Sequence, residues 1–249
     1  LYRHDTLFVG ALNRGTDVAV LLVAIPLLLV ATIWYRRGAV RGELLLAGAL
    51  AYVLYVYASA ALGATAYNEL FLVYVALFAA SFFALVRLLV GVDLVTLPHR
   101  LSPDAPWRRV AIFMVACGVI TTGVWLGMGL LPAVIEGTAP DHLDSYSTMV
   151  TDALDLGVIT PATFVVGTLL FRRSPLGFLL AVPLLGILTI LAPTFVAQTI
   201  SQRVAGISFS LGEVIGPIAG FGLLGMLAIW LLISLLRSVS EYDPDQSRN

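Results

Sequence analysis

The chain has 249 residues, 59% of them hydrophobic and only 12% charged, with a net charge of −1 and a mean hydropathy of +0.97. A soluble domain carries about a quarter charged residues, so this composition describes an integral membrane protein with almost no soluble part and gives no reason to expect a nucleic-acid partner. All 14 basic residues are arginine, and without a lysine amine a retinal Schiff base or lysine nucleophile is excluded.

Seven apolar runs reach the roughly 20 residues that a crossing needs, near 17–35, 43–63, 69–90, 109–134, 152–171, 176–198 and 211–236. They predict one all-α domain over 1–249, a bundle of seven spans joined by short polar connections. Span 1 opens on Asp17, preceded by Thr16 as a candidate cap, and carries Pro26 in mid-span. Span 2 holds Tyr52 and Tyr55, which share a helix face and can line a polar pocket. Tyr57 and Tyr67 suit the aromatic belt at the membrane interface. Span 3 opens on Glu69 behind Asn68, and span 4 contains Thr121, Thr122 and Trp125, read as ordinary interhelical polar contacts.

Span 5, "TDALDLGVITPATFVVGTLLFRR", begins with two carboxylates, Asp152 and Asp155, and has Pro161 at its middle. Span 6 carries Pro183 and Pro193; span 7 has Glu213, three residues after Ser210 in the S-x-x-E pattern of a capping box, and then Pro217. Acids at helix starts are favoured by the partial positive charge there, by roughly 0.3–1 kcal/mol. Capping therefore accounts for Asp17, Glu69 and Asp152 more readily than for Asp155, which lies deepest.

Arginine placement sets the orientation. Arg36, Arg37 and Arg41 follow span 1; Arg100, Arg108 and Arg109 follow span 3; Arg172 and Arg173 follow span 5; Arg237 follows span 7. All lie on one side if there are seven spans, which puts the N-terminus outside a cell membrane and the C-terminus in the cytoplasm. The five acids Asp17, Glu69, Asp152, Asp155 and Glu213 then cluster toward the outer rim.

Spans 1 and 5 match one another. In each an aspartate (Asp17, Asp152) is followed nine residues later by a proline (Pro26, Pro161) and then by an arginine pair, Arg36-Arg37 or Arg172-Arg173, with one residue inserted between the pairs. "GELLLAGAL" from Gly42 parallels "GFLLAVPLL" from Gly177. The pairing predicts parallel halves, 17–90 and 152–237, joined by a linker helix at 109–134. In plan this 3+1+3 arrangement resembles the SWEET-type carriers, although the Pro-Gln motifs of that family are absent. "RRGAVRGELLLAGALAYVLYVY" and "YNELFLVYVALF" also resemble segments of an uncharacterised family of prokaryotic multi-pass membrane proteins, which implies no activity and no site residues.

The three histidines, His4, His99 and His142, fall in predicted tails or loops, so no intramembrane ligand for haem is expected and no cofactor is predicted; the identity of any metal is left open. Phosphate loops, zinc-protease motifs and serine-hydrolase elbows are missing. The reading is a transporter or channel-like protein with an outward-facing site for a cation or small solute, formed by Asp155, Asp152, Glu213, Glu69 and Asp17 with Tyr52 and Tyr55, and hinged at Pro26 and Pro161. The alternatives are a receptor, sensor or membrane-complex subunit without transport, and, third, a membrane enzyme acting on a lipid or quinone near Tyr52 and Asp155. Expected partners are the lipid bilayer, the solute, and a second copy of the chain or a partner subunit.

Overall fold

The computed structural model describes residues 1–140, 143, 146–209 and 211–240, except the side chains of Met128 and of residues 211–217. Seven helices are long and apolar enough to cross a membrane: Leu7–Arg36, Val40–Ala64, Phe71–Gly91, Trp107–Trp125, Val150–Phe171, Pro175–Val204 and Ile218–Arg237, here spans 1 to 7. The last is the apolar part of a helix that starts at Leu211. The chain is a multi-pass membrane protein by length and composition of its helices.

Most boundaries agree with the apolar runs, but span 1 starts ten residues earlier than its run. Thr6 is its cap, accepting from the Val9 amide, while Thr16 donates to the Leu12 carbonyl inside the helix. The capping role for Thr16 and Asp17 is thereby corrected: Asn13 and Arg14 hide the helical stretch from a hydropathy reading, and Asp17 lies well past the first turn. Span 5 starts at Val150 with no side-chain cap, and Asp152 falls in its first turn.

Span 6 is central. Half or more of the apolar window is buried in spans 6 and 2 (56% and 50%), against 17% in span 3. Span 6 packs on spans 1, 2, 5 and 7. At its crossing with span 2, Gly186 and Gly48 let the two backbones approach closely; a methyl group on Gly186 would collide with the Gly48 backbone, and one on Gly48 would sit tightly at 3.2 Å from the Gly186 Cα. One core cluster joins spans 2, 4, 5, 6 and 7 through Leu44, Met114, Leu170, Phe178, Leu185 and Leu235. A second joins spans 1, 2 and 6 through Val20, Ala24, Tyr52, Ile187 and Ile190.

Spans 1 and 5 are not regular helices. Each contains a five-residue π-helical segment, Val20–Ala24 and Asp155–Ile159, followed by a twelve-residue α-helix, Ile25–Arg36 and Thr160–Phe171, with proline at its second position. Proline lacks an N–H and its ring pushes on the preceding turn. The helix widens to accommodate it: the Ile25 amide reaches the Val20 carbonyl, and the Thr160 amide that of Asp155. Span 4 continues through another such segment, Leu126–Leu130, ahead of Pro132, and span 2 ends in one without a proline, Ala60–Ala64. Pro183 and Pro193, by contrast, sit inside the unbroken α-helix of span 6.

The turns that leave spans 1 and 5 also correspond. The Gly38 and Ala39 amides bond the Tyr35 and Trp34 carbonyls, and the Arg173 and Ser174 amides bond those of Leu170 and Leu169. The next helix crosses back so tightly that a Cβ on Gly42 would lie 2.5 Å from the Tyr35 amide, and one on Gly177 2.9 Å from the Leu170 amide. Both series run without an inserted residue, so the structural counterpart of Arg37 is Arg172.

Candidate functional site

Asp155 occupies the first position of the π segment in span 5. Its Oδ1 accepts from the Tyr55 hydroxyl and its Oδ2 from Trp125 Nε1, each at 3.0 Å. Spans 2, 4 and 5 therefore meet on one half-buried carboxylate. The described residues place no arginine or histidine within ion-pair distance of it. Two neutral donors orient the group without supplying positive charge, and of its roughly four lone-pair positions they occupy two.

One turn earlier, Asp152 is 4% exposed and lines a cleft of about 390 Å³ between Leu130, Ser147, Met149 and Leu156. At the inner end of the same π segment, Thr160 is buried and its hydroxyl has no hydrogen-bond partner among the described residues. An unsatisfied buried hydroxyl costs about 1–3 kcal/mol. Tyr52 lies one turn from Tyr55 on span 2. Its hydroxyl pairs at 2.8 Å with that of Thr194 on span 6, and because Thr194 donates to the Ile190 carbonyl, Tyr52 is the donor of that pair. The structure thus joins Asp155, Asp152 and Tyr55, and places Tyr52 in the adjoining core.

The remaining acids are engaged elsewhere. Asp17 accepts from the Tyr2 hydroxyl at 2.7 Å. Glu69 lies on the surface and pairs with Arg3 at 3.2 Å, both side chains largely exposed. Asp5 accepts from the Ala66 amide at 2.9 Å and the Tyr146 hydroxyl at 2.8 Å. Residues 2–5 therefore form a strap across the end of the bundle opposite the arginine-rich turns. Burial, and then the Asp17 carboxylate, pushes the Tyr2 phenol well above its usual range; burial and Asp5 do the same to Tyr146. The side chain of Glu213 lies outside the described residues, as do Ser210 and the side chain of Pro217.

Trp125, whose position in span 4 suits ordinary interhelical packing, is a direct partner of Asp155. A tryptophan in mid-helix carries an N–H that must find an acceptor when buried, and that requirement was the available signal. The strap residues Tyr2, Arg3 and Asp5 carried no comparable signal.

Comparison with protein-family models, with curated proteins and with solved structures returns no match. Among the described residues no group of three or more His, Cys, Asp or Glu side chains converges as a metal cage.

Proposed function

We propose that the protein is a membrane transporter whose recognition group for a cation or a small cationic solute is Asp155. The observation that carries this reading is a carboxylate at the junction of three spans, oriented by Tyr55 and Trp125 and matched with no positive side chain among the described residues. Acids inside spans are costly and mark ion and solute pathways. The Asp152 cleft supplies an approach from the strap end, one helical turn away, and the unpartnered Thr160 hydroxyl supplies a further polar contact at the other end of the π segment.

The corresponding geometry of spans 1 and 5 supports a parallel 3+1+3 repeat, with span 4 as linker and the π segments before Pro26 and Pro161 as the flexing points. The arginine distribution supports a plasma-membrane protein with its N-terminus outside. In the cycle, the two halves rock about the close crossing of spans 2 and 6, and Asp155 exchanges one access path for the other.

The test is thermal stabilisation of purified protein by a panel of inorganic cations and organic amines, in the wild type and in Asp155→Asn. At least one compound is expected to raise the wild-type Tm and to lose most of that effect in the variant. Equal shifts in the two proteins, or none with any compound, would overturn the reading.

A further inference from the structure

A second site lies at the opposite end of the bundle. Between the start of span 4 and the end of span 5 is a cleft of about 500 Å³, lined by Trp107, Arg108, Arg109, Phe171 and Arg173, with Asp104 as its one carboxylate among the described residues. All three guanidiniums are exposed, and none makes an ion pair among the described residues. Arg109 is held over the Trp230 ring at 5.8 Å, which fixes it without neutralising it. Phe171, 53% exposed, gives the cleft an apolar flank on the side of a spanning helix. The N-terminus of span 4 opens into it, with no side-chain cap on its amides.

A separate observation concerns the backbone. Arg173 has φ +52°, the only non-glycine residue with positive φ among those described. At the corresponding turn after span 1 the residue is Gly38, φ +80°, as a left-handed helix-terminating position ordinarily requires. An arginine is thus held where the turn favours glycine, and its side chain lines the cleft. A residue kept in an unfavourable conformation points to a role other than folding.

We propose that this cleft binds the phosphate of an anionic phospholipid from the adjoining leaflet. Three guanidiniums against one carboxylate fit a phosphate. Trp107 and Phe171 receive the glycerol and upper acyl chain at the interface. A basic pocket between spanning helices, on the arginine-rich side, is where lipid headgroups are held. The proposal rests on the multi-pass reading of the chain and is independent of the role given to Asp155.

The experiment compares phosphatidylglycerol, phosphatidylcholine and inorganic phosphate as additives to the purified protein, reading retained lipid by native mass spectrometry and Tm by thermal unfolding. Phosphatidylglycerol is expected to stay bound and raise Tm, and the other two are not. The triple variant Arg108→Gln, Arg109→Gln, Arg173→Gln should bind phosphatidylglycerol about tenfold more weakly, while Arg36→Gln with Arg37→Gln, at the end of span 1, stays within about twofold of wild type. Arg173→Gly separates folding from binding: its lipid-free Tm should rise by about 2 °C, because the turn is relieved, while its lipid affinity falls. Equal affinity in the span 1 and cleft variants would mean diffuse surface attraction and overturn the proposal. Equal protection by inorganic phosphate would overturn the lipid source, and undiminished binding by Arg173→Gly would overturn the site.

Discussion

At the first position of its π segment span 1 carries Val20, buried against Ala24, Tyr52 and Ile190. Span 5 carries Asp155 there, held by Tyr55 and Trp125. The widened turn, the proline, the helix-ending turn and the tight return through Gly42 or Gly177 are common to both hairpins. Span 2 stands between them, presenting Tyr52 to the apolar segment and Tyr55 to the acidic one. The backbone irregularity accompanies a proline in both spans and needs no acid. What distinguishes span 5 is a side chain, and that is the difference on which a function can be built.

The comparison can be broken most severely by moving the acid. Val20→Asp places a carboxylate among apolar neighbours with no donor, and should cost about 3 kcal/mol; loss of monodisperse protein on size-exclusion chromatography checks it. The reverse change, Asp155→Val, removes the charge but leaves Tyr55 and Trp125 without their acceptor, a cost of about 1–3 kcal/mol. It should also abolish solute-dependent stabilisation, and a variant that kept such stabilisation would show that the two π segments are functionally alike.

A smaller effect is expected at the helix-ending turn. Gly38→Ala forces a Cβ into a left-handed position and should lower stability by about 1 kcal/mol, opposite in sign to Arg173→Gly; chemical denaturation in detergent reads both. Pro161→Ala restores an amide and should slow hydrogen exchange across Asp155–Ile159 several-fold, with Pro26→Ala doing the same across Val20–Ala24. Exchange slowed in only one of them would end the equivalence of the two segments.

The mildest perturbation is of the strap. The Tyr2 and Tyr146 phenols are pushed up in the folded protein, so the stability they contribute is complete below the ordinary tyrosine pKa of about 10 and is lost as pH rises beyond it. Proteolytic release of residues 1–6 should accelerate above about pH 10. Tyr2→Phe should release the strap at neutral pH at a cost of about 1 kcal/mol, and flatten that pH dependence.

Seven spans were legible because long apolar runs separated by arginine clusters leave few alternatives. Span 1 lost its first turns to Asn13 and Arg14, which interrupt hydropathy without interrupting a helix. Pro26 and Pro161 announced irregular turns, though not that the irregularity would be a π widening. Asp155 stood out by depth, but its partners could not be read: Tyr55 and Trp125 come from other spans, and no local pattern encodes which face of one helix meets which face of another. The tying of Asp17 by Tyr2 and of Glu69 by Arg3 was hidden for the same reason.

The bond from Trp125 to Asp155 has an optical consequence. Of the chain's four tryptophans, Trp34 and Trp230 are about half exposed and Trp107 tilts against the Phe178 ring at 5.5 Å. Among the described residues, Trp125 alone has its indole N–H directed at a carboxylate. The emission colour of an indole depends on the charge beside it, so with the other three replaced by phenylalanine the protein carries its own fluorescent gauge. On the proposed reading, arrival of a cation at Asp155 would become visible as a change of wavelength, without any added label.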